Sequence, residues 1–421
     1  MKKNILVFPC GSEIGLELKR ALKHSIHFEL FGASTMHDHG EYVFENYIHG
    51  VPFVDSDNFI DYINKIVDEY KIDLIFPAHD SVVLKLAQNR HKLHCDVITS
   101  DANVCEIARS KKKTYETLDG VIPVPKMYDT DNIPCYPVFL KPDVGQGSKG
   151  CLIAKNENDV SNAIAKDPSL LILEYLPGAE YTIDCFSDYN GNLLYAQGRQ
   201  RARILNGISV RSMPVDKPEF ADYAKKIAAK IPFNGAWFFQ VKERANGELA
   251  LLEIAPRIAG TMALSRLRGV NLPILSCFNA LKMPVSIQKN QYDLEIDRAL
   301  ENKFKLTIEY DAVYTDFDDC LIINGKVNTS LVAFLYQARN NNKKIILITK
   351  HKNESIDVAL ERYRLNQIFD EVIHLTDEDE KYMYITSEKS IFIDDSFAER
   401  KRVADNLGIP VFAPDMIDEL V

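Results

Sequence analysis

The stretch that decides the fold of the central part of this chain reads Pro137-Val-Phe-Leu-Lys141-Pro-Asp-Val-Gly145-Gln-Gly147-Ser-Lys149-Gly150-Cys-Leu-Ile153. An apolar strand ends in a lysine, a glycine-rich loop follows, and a second apolar strand begins. Glycines let backbone N–H groups approach phosphate oxygens closely, and a lysine adds a positive charge. In a P-loop, by contrast, the lysine follows the glycines and opens a helix. The stretch indicates a phosphate-binding hairpin, although an ordinary turn between strands would have the same pattern.

A second hairpin is predicted about 100 residues downstream. Two apolar strands flank Asn246-Gly247, a dipeptide that favours a tight β-turn. Pairing of the two strands would bring Gln240 and Glu253 face to face. Side-chain oxygens placed in this way suit Mg²⁺ that is also bound by nucleotide phosphates.

The first 100 residues alternate between strand and helix patterns. Apolar strands are predicted at 4–8, 28–31 and 73–77, and helices at 11–22 and 59–70. This rhythm predicts a parallel sheet with right-handed crossovers. The loop from Pro9 to Gly15 follows the first strand, where such sheets bind ligands. Its glycines do not form the dinucleotide-binding pattern, so a turn needed for packing is the favoured interpretation.

Taken in order, these features resemble the ATP-grasp superfamily, in the branch related to carbamoyl-phosphate synthetase and biotin carboxylase. The resemblance covers residues 1–290. It implies a preceding parallel αβ domain over 1–100 and an α+β ATP-grasp domain over 101–290. The polar, variable pattern of residues 283–311 predicts a linker in part of that stretch. The resemblance also implies ATP and Mg²⁺ as cofactors.

The resemblance assigns roles to individual residues of this chain. Those implied to hold the nucleotide are Lys111 and Lys141 at the phosphates, Gly145, Gly147, Ser148 and Gly150 in the loop, Glu174, Tyr175 and Leu176 at the adenine, and Glu180 at the ribose. Those implied at the reacting end are Arg201 and Arg203 over the triphosphate or substrate, Gln240 and Glu253 at Mg²⁺, and Arg257 at the γ-phosphate or acyl phosphate.

The chemistry implied by the resemblance is the ligation of a carboxylate to an amine through an acyl phosphate. A kinase that phosphorylates a hydroxyl is the alternative within the same fold. One departure also favours a third reading, a nucleotide-binding regulatory protein. The family has Glu-x-Asn at its metal strand, whereas this chain has Glu253-Ile254-Ala255, and a methyl group cannot coordinate a metal.

Residues 306–421 return to the alternating pattern. Strands are predicted at 312–315, 344–348, 390–393 and 411–412, with helices at 330–340 and 399–407. Polar residues follow three of these strands directly: Asp316 and Asp318, then Thr349, then Asp394 with Asp395. A parallel sheet would gather all of them at one edge.

This arrangement resembles the haloacid dehalogenase superfamily of aspartyl-phosphate phosphatases over residues 306–421, with a minimal cap. The resemblance implies Asp316 as the nucleophile and Asp318 as the general acid and then base. Thr349 would bind phosphoryl oxygens, and Lys381, or less favourably Lys389, would bridge the carboxylates. The implied Mg²⁺ ligands are Asp316, Asp318, Asp394 and Asp395.

Composition narrows the possible partners. The net charge of -10 disfavours nucleic acid and anionic membranes. Eight scattered cysteines without a CxxC pair disfavour zinc and indicate a reducing, cytoplasmic setting. The N-terminal apolar run is too short for a signal peptide, and no run is long enough to span a bilayer. The expected partners are a small carboxylate, an amine and a phosphorylated small molecule, with a homodimer possible because related enzymes are often dimers.

Overall fold

The computed structural model describes residues 2–145, 147, 149–205, 207–301, 304 and 307–419. The chain forms two compact units, Met1–Glu301 and Asn302–Val421. The first unit contains three sheets and the second contains a larger sheet and a two-stranded hairpin. Within the described residues, none of the helices is long and apolar enough to cross a bilayer.

The first sheet is parallel, as the alternating pattern predicts, and its strand order is β3-β2-β1-β4-β5. Its strands are β1 (Lys3–Phe8), β2 (Phe28–Ser34), β3 (Asn46–His49), β4 (Leu74–Pro77) and β5 (Asp96–Val97). The first helix begins at Glu13 and not at Gly11, because Ser12 caps it by accepting a hydrogen bond from the Gly15 N–H at 3.0 Å.

Nine α-helices belong to the described part of the first unit. They are α1 (Glu13–Leu22), α2 (Phe59–Tyr70), α3 (Asp80–Gln88), α4 (Ala102–Arg109), α5 (Lys111–Leu118), α6 (Glu157–Lys166), α7 (Pro218–Lys230), α8 (Ala263–Leu267) and α9 (Leu272–Ala280). Helix α2 covers one face of the parallel sheet. Helices α1 and α9 cover the other, so a helix from late in the chain packs on the N-terminal sheet. This return ties the sheets of the first unit into one body.

Two antiparallel sheets complete the first unit. The smaller one, of order β6-β9-β7-β8, consists of β6 (Met127–Tyr128), β7 (Val138–Pro142), β8 (Leu152–Ala154) and β9 (Leu170–Glu174). The larger one, of order β14-β13-β10-β11-β12-β15, consists of β10 (Glu180–Ser187), β11 (Leu193–Leu205), β12 (Ile208–Pro214), β13 (Gly235–Glu243), β14 (Leu249–Ala255) and β15 (Ile296–Asp297). Both predicted hairpins are present, since β7 pairs with β8 and β13 pairs with β14. Part of the expected linker is a strand, because β15 pairs with β12.

The second unit has a parallel sheet of order β20-β19-β16-β21-β22. Its strands, with the small hairpin β17–β18, are β16 (Ala312–Thr315), β17 (Ile322–Ile323), β18 (Lys326–Val327), β19 (Lys344–Thr349), β20 (Glu371–His374), β21 (Ser390–Ile393) and β22 (Val411–Phe412). Its helices are α10 (Thr329–Asn340), α11 (Ile356–Arg362) and α12 (Phe397–Leu407). The central position of β16, between β19 and β21, sets the acidic loop after β16 between the loops that follow the other two.

Candidate functional site

A cavity of about 220 Å³ lies between the two antiparallel sheets of the first unit. Strands β7, β8 and β9 supply one wall, and β10, β11, β13 and β14 supply the other. Its polar lining includes Lys111, Lys141, Lys149, Glu174, Glu180, Arg201, Gln240, Lys242 and Glu253, with Gly145 and Gly147 at the loop and Tyr175 and Leu176 at one end. The structure therefore brings together residues that lie up to 142 positions apart in the sequence, from 111 to 253.

Lys141, at the end of β7, is buried and held by two acceptors. Its Nζ donates to Tyr115 Oη at 2.6 Å and to the carbonyl of Leu252 at 3.0 Å. That carbonyl is available because Leu252 is the extra residue of a β-bulge, where Gln240 pairs with Glu253 but Val241 pairs with Leu251. Burial lowers the pKa of Lys141 to about 8, although Glu253 opposes the effect.

Lys111, the first residue of α5, reaches the glycine-rich loop. Its Nζ donates to the carbonyl of Gly145 at 3.0 Å, and Arg109 donates to the same carbonyl at 3.1 Å. Burial lowers the pKa of Lys111 and the nearby Glu253 raises it, with a net decrease. At the same helix terminus, Asp143 accepts from the Ser110 hydroxyl at 2.9 Å. The start of α5 thus fixes the entrance of the loop.

Glu174, at the end of β9, is held by an arginine that the sequence analysis did not identify. Arg244 donates to both carboxylate oxygens, at 2.9 and 3.0 Å, and also to the carbonyl of Val124 at 2.8 Å. Burial alone would raise the pKa of Glu174, but the hydrogen bonds from Arg244 and the Lys126 N–H lower it. The carboxylate is therefore a fixed, ionised edge of the cavity next to Tyr175.

Arg201 links three walls of the cavity. Its guanidinium donates to Glu180, to Gln240 Oε1 at 2.8 Å and to the carbonyl of Gly207 at 2.8 Å. Gly207, in the β11–β12 turn, has a φ of +76°, and a Cβ there would lie 2.4 Å from the backbone of Gly147. The turn and the glycine-rich loop are in close contact over the cavity, and only glycine permits this approach.

Arg203 does not share the site of Arg201, contrary to the expectation. It is bound to Asp297 at 2.6 and 2.8 Å, with 57% of its side chain exposed, and it does not line the cavity among the described residues. The reason is a β-bulge. Arg201 pairs with Ser212 but Arg203 pairs with Arg211, so the alternation of β11 is broken between the two arginines.

The metal strands have the predicted register but an incomplete ligand set. Gln240 and Glu253 are a direct cross-strand pair. The Gln240 oxygen already accepts from Arg201, whereas Glu253 is engaged by no ion pair among the described residues. Ala255 packs in a small apolar cluster with Phe238 and Ala259. The residues therefore fit one magnesium ion held mainly by Glu253, and they do not fit a second ion at position 255.

Arg257 lies at a second cavity of about 370 Å³, which adjoins the first. Asp80, the first residue of α3, accepts from Arg257 at 2.5 and 2.9 Å, and the Arg257 guanidinium lies 5.1 Å from the ring of Phe238. Burial would lower the pKa of Arg257, but Asp80 raises it. The two cavities share five predicted residues, namely Gly145, Gly147, Arg201, Gln240 and Glu253.

In the second unit, three carboxylates and a lysine form one cluster. Oxygens of Asp316, Asp394 and Asp395 lie within 4.8 Å of one another. Lys381 Nζ lies 2.9 Å from Asp316 and donates to Asp394 at 2.7 Å. Burial is the main reason that the pKa of Asp394 is raised to about 6, and repulsion from Asp316 adds to the effect. The donor set fits Mg²⁺, which prefers oxygen ligands and would neutralise this charge.

Three other residues of the second unit were predicted at the site, namely Thr349, Asp318 and Lys389. Thr349 is buried at the end of β19, and its hydroxyl has no hydrogen-bond partner among the described residues. Asp318 lies outside the three-carboxylate group and contacts His351 instead. Lys389 is exposed and lies 4.0 Å from Glu309, so Lys381 is the lysine at the cluster.

Comparisons with known proteins are consistent with the geometry of the first unit. A family model described as ATP-grasp in the biosynthetic pathway with Ter operon matches residues 166–301. A biotin carboxylase from Campylobacter jejuni, in complex with β-γ-ATP, matches with a TM-score of 0.58 and 17% identity over 68% of this chain and 73% of that one. The first unit has the ATP-grasp fold.

Two further solved structures are similar to the chain. The biotin carboxylase domain dimer of the Hydrogenobacter thermophilus 2-oxoglutarate carboxylase, in complex with MgADP, ADP and bicarbonate, has a TM-score of 0.56 and 19% identity, covering 69% of this chain and 72% of that one. An L-amino acid ligase from Bacillus licheniformis has a TM-score of 0.55 and 16% identity, covering 68% and 75%.

Several residues of the ATP-grasp unit were missed by the sequence analysis. Tyr115 lies four positions after Lys111 on one helix, a spacing that places both on the same face, so it could have been found. Arg244 could not, because its partner Glu174 is 70 positions away. Of the loop residues, Gly150 has a φ of +75°, and Ser148 lies outside the described residues.

Proposed function

We propose that the ATP-grasp unit is an ATP-dependent ligase that joins a carboxylate to an amine through an acyl phosphate. The observation that carries the proposal is the overlap of the two cavities. The first has an apolar end at Tyr175 and Leu176 and a cationic end at Lys111 and Lys141. The second cavity shares Lys149, Arg201 and Glu253 with the first. A nucleotide in the first cavity would direct its terminal phosphate toward a substrate in the second.

The residues shared by both cavities would surround the transferring phosphoryl group. A carboxylate is a poor electrophile, and phosphorylation gives it a leaving group that an amine can displace. Lys111, Lys141 and Arg201 would neutralise the charge that spreads over the phosphoryl oxygens. Mg²⁺, held by Glu253, would supply further charge neutralisation. Gly147 and Gly207, in contact above the site, would keep water from the acyl phosphate.

The similar structures support this proposal at the level of fold. One of them is named an L-amino acid ligase, and others are complexes with β-γ-ATP or MgADP. The same fold is compatible with a kinase, and the missing ligand at Ala255 is compatible with nucleotide binding without turnover. Product analysis separates the three possibilities.

The test uses the full chain with Asp316→Asn, a change that removes phosphatase background from the second unit. The protein is incubated with MgATP and pools of carboxylates and amines, and ADP and phosphate are followed. The ligase proposal requires ADP only when a carboxylate and an amine are both present. Turnover with a hydroxyl compound alone would indicate a kinase. ATP binding without turnover in any pool would indicate a regulatory site. Lys141→Met, made in the same background, should abolish turnover.

We propose a second activity, a magnesium-dependent phosphatase that acts through an aspartyl phosphate, for residues 307–419. The observation that carries it is the approach of Lys381 to Asp316 beside the end of β19, where the Thr349 hydroxyl has no hydrogen-bond partner among the described residues. Asp316 would attack the phosphorus, and Thr349 would donate to a phosphoryl oxygen. Asp394 and Asp395 would hold Mg²⁺ together with Asp316, and the metal ion would neutralise the charge of the substrate phosphate.

Hydrolysis of p-nitrophenyl phosphate by the full chain tests this activity. We expect turnover that requires Mg²⁺, stops with EDTA and is lost in Asp316→Asn. Lys389→Met is the matched control for Lys381→Met, because the former side chain is exposed and distant from the carboxylates. Equal loss in the two lysine variants would contradict the assignment.

A further inference from the structure

Asp318 has a partner that the proposed phosphatase chemistry does not account for. Both of its carboxylate oxygens lie close to Nδ1 of His351, at 3.0 and 2.9 Å. The Asp318 side chain itself is 49% exposed. A half-exposed carboxylate on a loop normally samples several rotamers, so a contact with both oxygens is a specific restraint.

His351, in contrast, is fixed on every side. Only 5% of its side chain is exposed, and its ring meets that of Phe317 edge-on at 5.1 Å. Its carbonyl lies 2.7 Å from His374 Nε2, which donates to it from β20. His351 follows the end of β19 by two residues, so the imidazole is anchored to the sheet that also carries Thr349.

The environment of the ring indicates which nitrogen carries the hydrogen. Nε2 is buried and has no hydrogen-bond partner among the described residues. A hydrogen on Nε2 would leave a buried donor unsatisfied, which is unfavourable. With the hydrogen on Nδ1, the imidazole donates directly to the Asp318 carboxylate. The contact is therefore a directional hydrogen bond from a buried donor to a half-exposed acceptor.

We propose that His351 is a positioning residue that holds Asp318 where it exchanges protons with the leaving group and with water. The inference rests on the phosphatase function proposed above. The only segment between Asp318 and helix α10 is the short hairpin β17–β18. Because that hairpin is too small to form a domain over the site, the restraint on Asp318 comes from the sheet edge.

The reaction has two steps in which Asp318 takes part. In the first, Asp316 bonds to phosphorus, the bond from phosphorus to the ester oxygen breaks, and the proton of the Asp318 carboxyl goes to that oxygen. In the second, water bonds to phosphorus and gives a proton to the Asp318 carboxylate. The bond to Asp316 then breaks and phosphate leaves. Misplacing Asp318 harms the first step most when the leaving oxygen is strongly basic.

This dependence gives a test that a merely structural role would fail. The value of kcat/KM is measured for p-nitrophenyl phosphate, whose leaving group needs little protonation, and for a primary alkyl phosphate, whose leaving group needs it. His351→Leu should lower kcat/KM for the alkyl ester by about 10²-fold, in the range of general acid catalysis. For the aryl ester, p-nitrophenyl phosphate, kcat/KM should fall by less than about tenfold. His351→Asn, which keeps a donor near the Nδ1 position, should recover part of the loss.

Three controls keep the outcomes distinct. His94→Leu removes an exposed histidine that contacts Asp68 at 3.0 Å in the first unit. This control variant should leave kcat/KM unchanged for both esters. In the Asp318→Asn background, His351→Leu should add no further loss, since it acts through Asp318. If wild type lacks turnover that depends on Asp316, the phosphatase function and this inference both fall. If the wild type is active but His351→Leu lowers kcat/KM for both esters by the same factor, only this inference is overturned.

Discussion

The hydroxyl of Tyr115 offers the sharpest test of how the ATP-grasp unit holds a nucleotide. Lys141 Nζ is buried, and it donates hydrogen bonds to Tyr115 Oη and to the Leu252 carbonyl. The change Tyr115→Phe removes one of these acceptors and leaves the ring in place. A hydrogen bond to a charged group contributes about 1.5–3 kcal/mol, and about 1.4 kcal/mol is a tenfold change in an equilibrium constant. The variant should therefore bind the Lys141 proton about 10- to 100-fold more weakly.

The sign and size of the effect on ATP follow from the pKa of Lys141, which burial lowers to about 8. Only the ammonium form attracts phosphate, so ATP affinity should fall as pH rises through about 8 in the wild type. In Tyr115→Phe the fall should begin at lower pH. At pH 8 the affinity should drop by about 5- to 50-fold, and at pH 6 by about twofold or less. The free energy of unfolding responds in the opposite direction. Because the pKa of Lys141 is lowered in the folded state, the unfolded state binds more protons between about pH 8 and pH 10, so the contribution of Lys141 to the free energy of unfolding grows as pH rises through that range.

Calorimetric titration with ATP from pH 6 to pH 9, in buffers of different ionisation enthalpy, measures both the affinity and the protons taken up. Tyr223→Phe is the matched control. The Tyr115 hydroxyl donates to the Leu252 carbonyl of β14 at 2.8 Å, and the Tyr223 hydroxyl donates to the Leu249 carbonyl of the same strand at 3.4 Å, but Tyr223 is not a partner of Lys141. An unchanged pH profile in Tyr115→Phe would refute the reasoning. So would an equal shift in Tyr223→Phe.

Three other predictions concern Arg201, Arg244 and the carboxylate cluster of the second unit. Arg201→Met should weaken ATP binding by about tenfold or more, because it removes charge-assisted hydrogen bonds inside the cavity, whereas Arg203→Met should change it by less than about twofold in the same titration. Arg244→Met should raise the pKa of Glu174 and weaken binding of ATP, and a carboxyl signal in infrared difference spectra that does not shift would contradict this. Mg²⁺ at about 100 times its Kd should stabilise the wild type by about 2.7 kcal/mol in thermal unfolding followed at residues 307–419, and Asp395→Asn should lose this gain.

Much of the fold could be predicted because local patterns decide it. The helix at 59–70 and the strands at 312–315, 390–393 and 411–412 have the predicted limits, since each has a clear apolar period and a polar boundary. The pairing of Gln240 with Glu253 was also predicted, but the turn at Asn246-Gly247 does not produce it alone. Glu243 pairs with Leu249 near the turn, and the β-bulge at Leu252 then brings Gln240 opposite Glu253. Strand β15 was not, because two residues in a polar segment carry no periodicity that the sequence could reveal.

The candidate sites were predictable where a strand end decides a side chain's position, as at Asp316 and Thr349. They were not predictable where irregular backbone decides it. The bulge in β11 separates Arg203 from Arg201, although strict alternation would place both on one face. The bulge in β14 turns the Leu252 carbonyl toward Lys141. Bulges depend on the pairing of whole strands, so a single sequence does not show them.

The substitution at Ala255 has consequences beyond one lost ligand. Its methyl group fills a wall with Phe238 and Ala259, and the Arg257 guanidinium lies over that same ring. The methyl group of Ala255 therefore offers no ligand atom to a second metal ion, although charged residues such as Glu253 and Arg257 lie around it. The charge of a nucleotide in the first cavity would instead be met by Lys111, Lys141, Lys149, Arg201 and Lys242, which all line it. In the proposed ligase these cations would neutralise the charge that a second metal ion would otherwise share, so the alanine at position 255 would still leave a means to stabilise a transferring phosphoryl group.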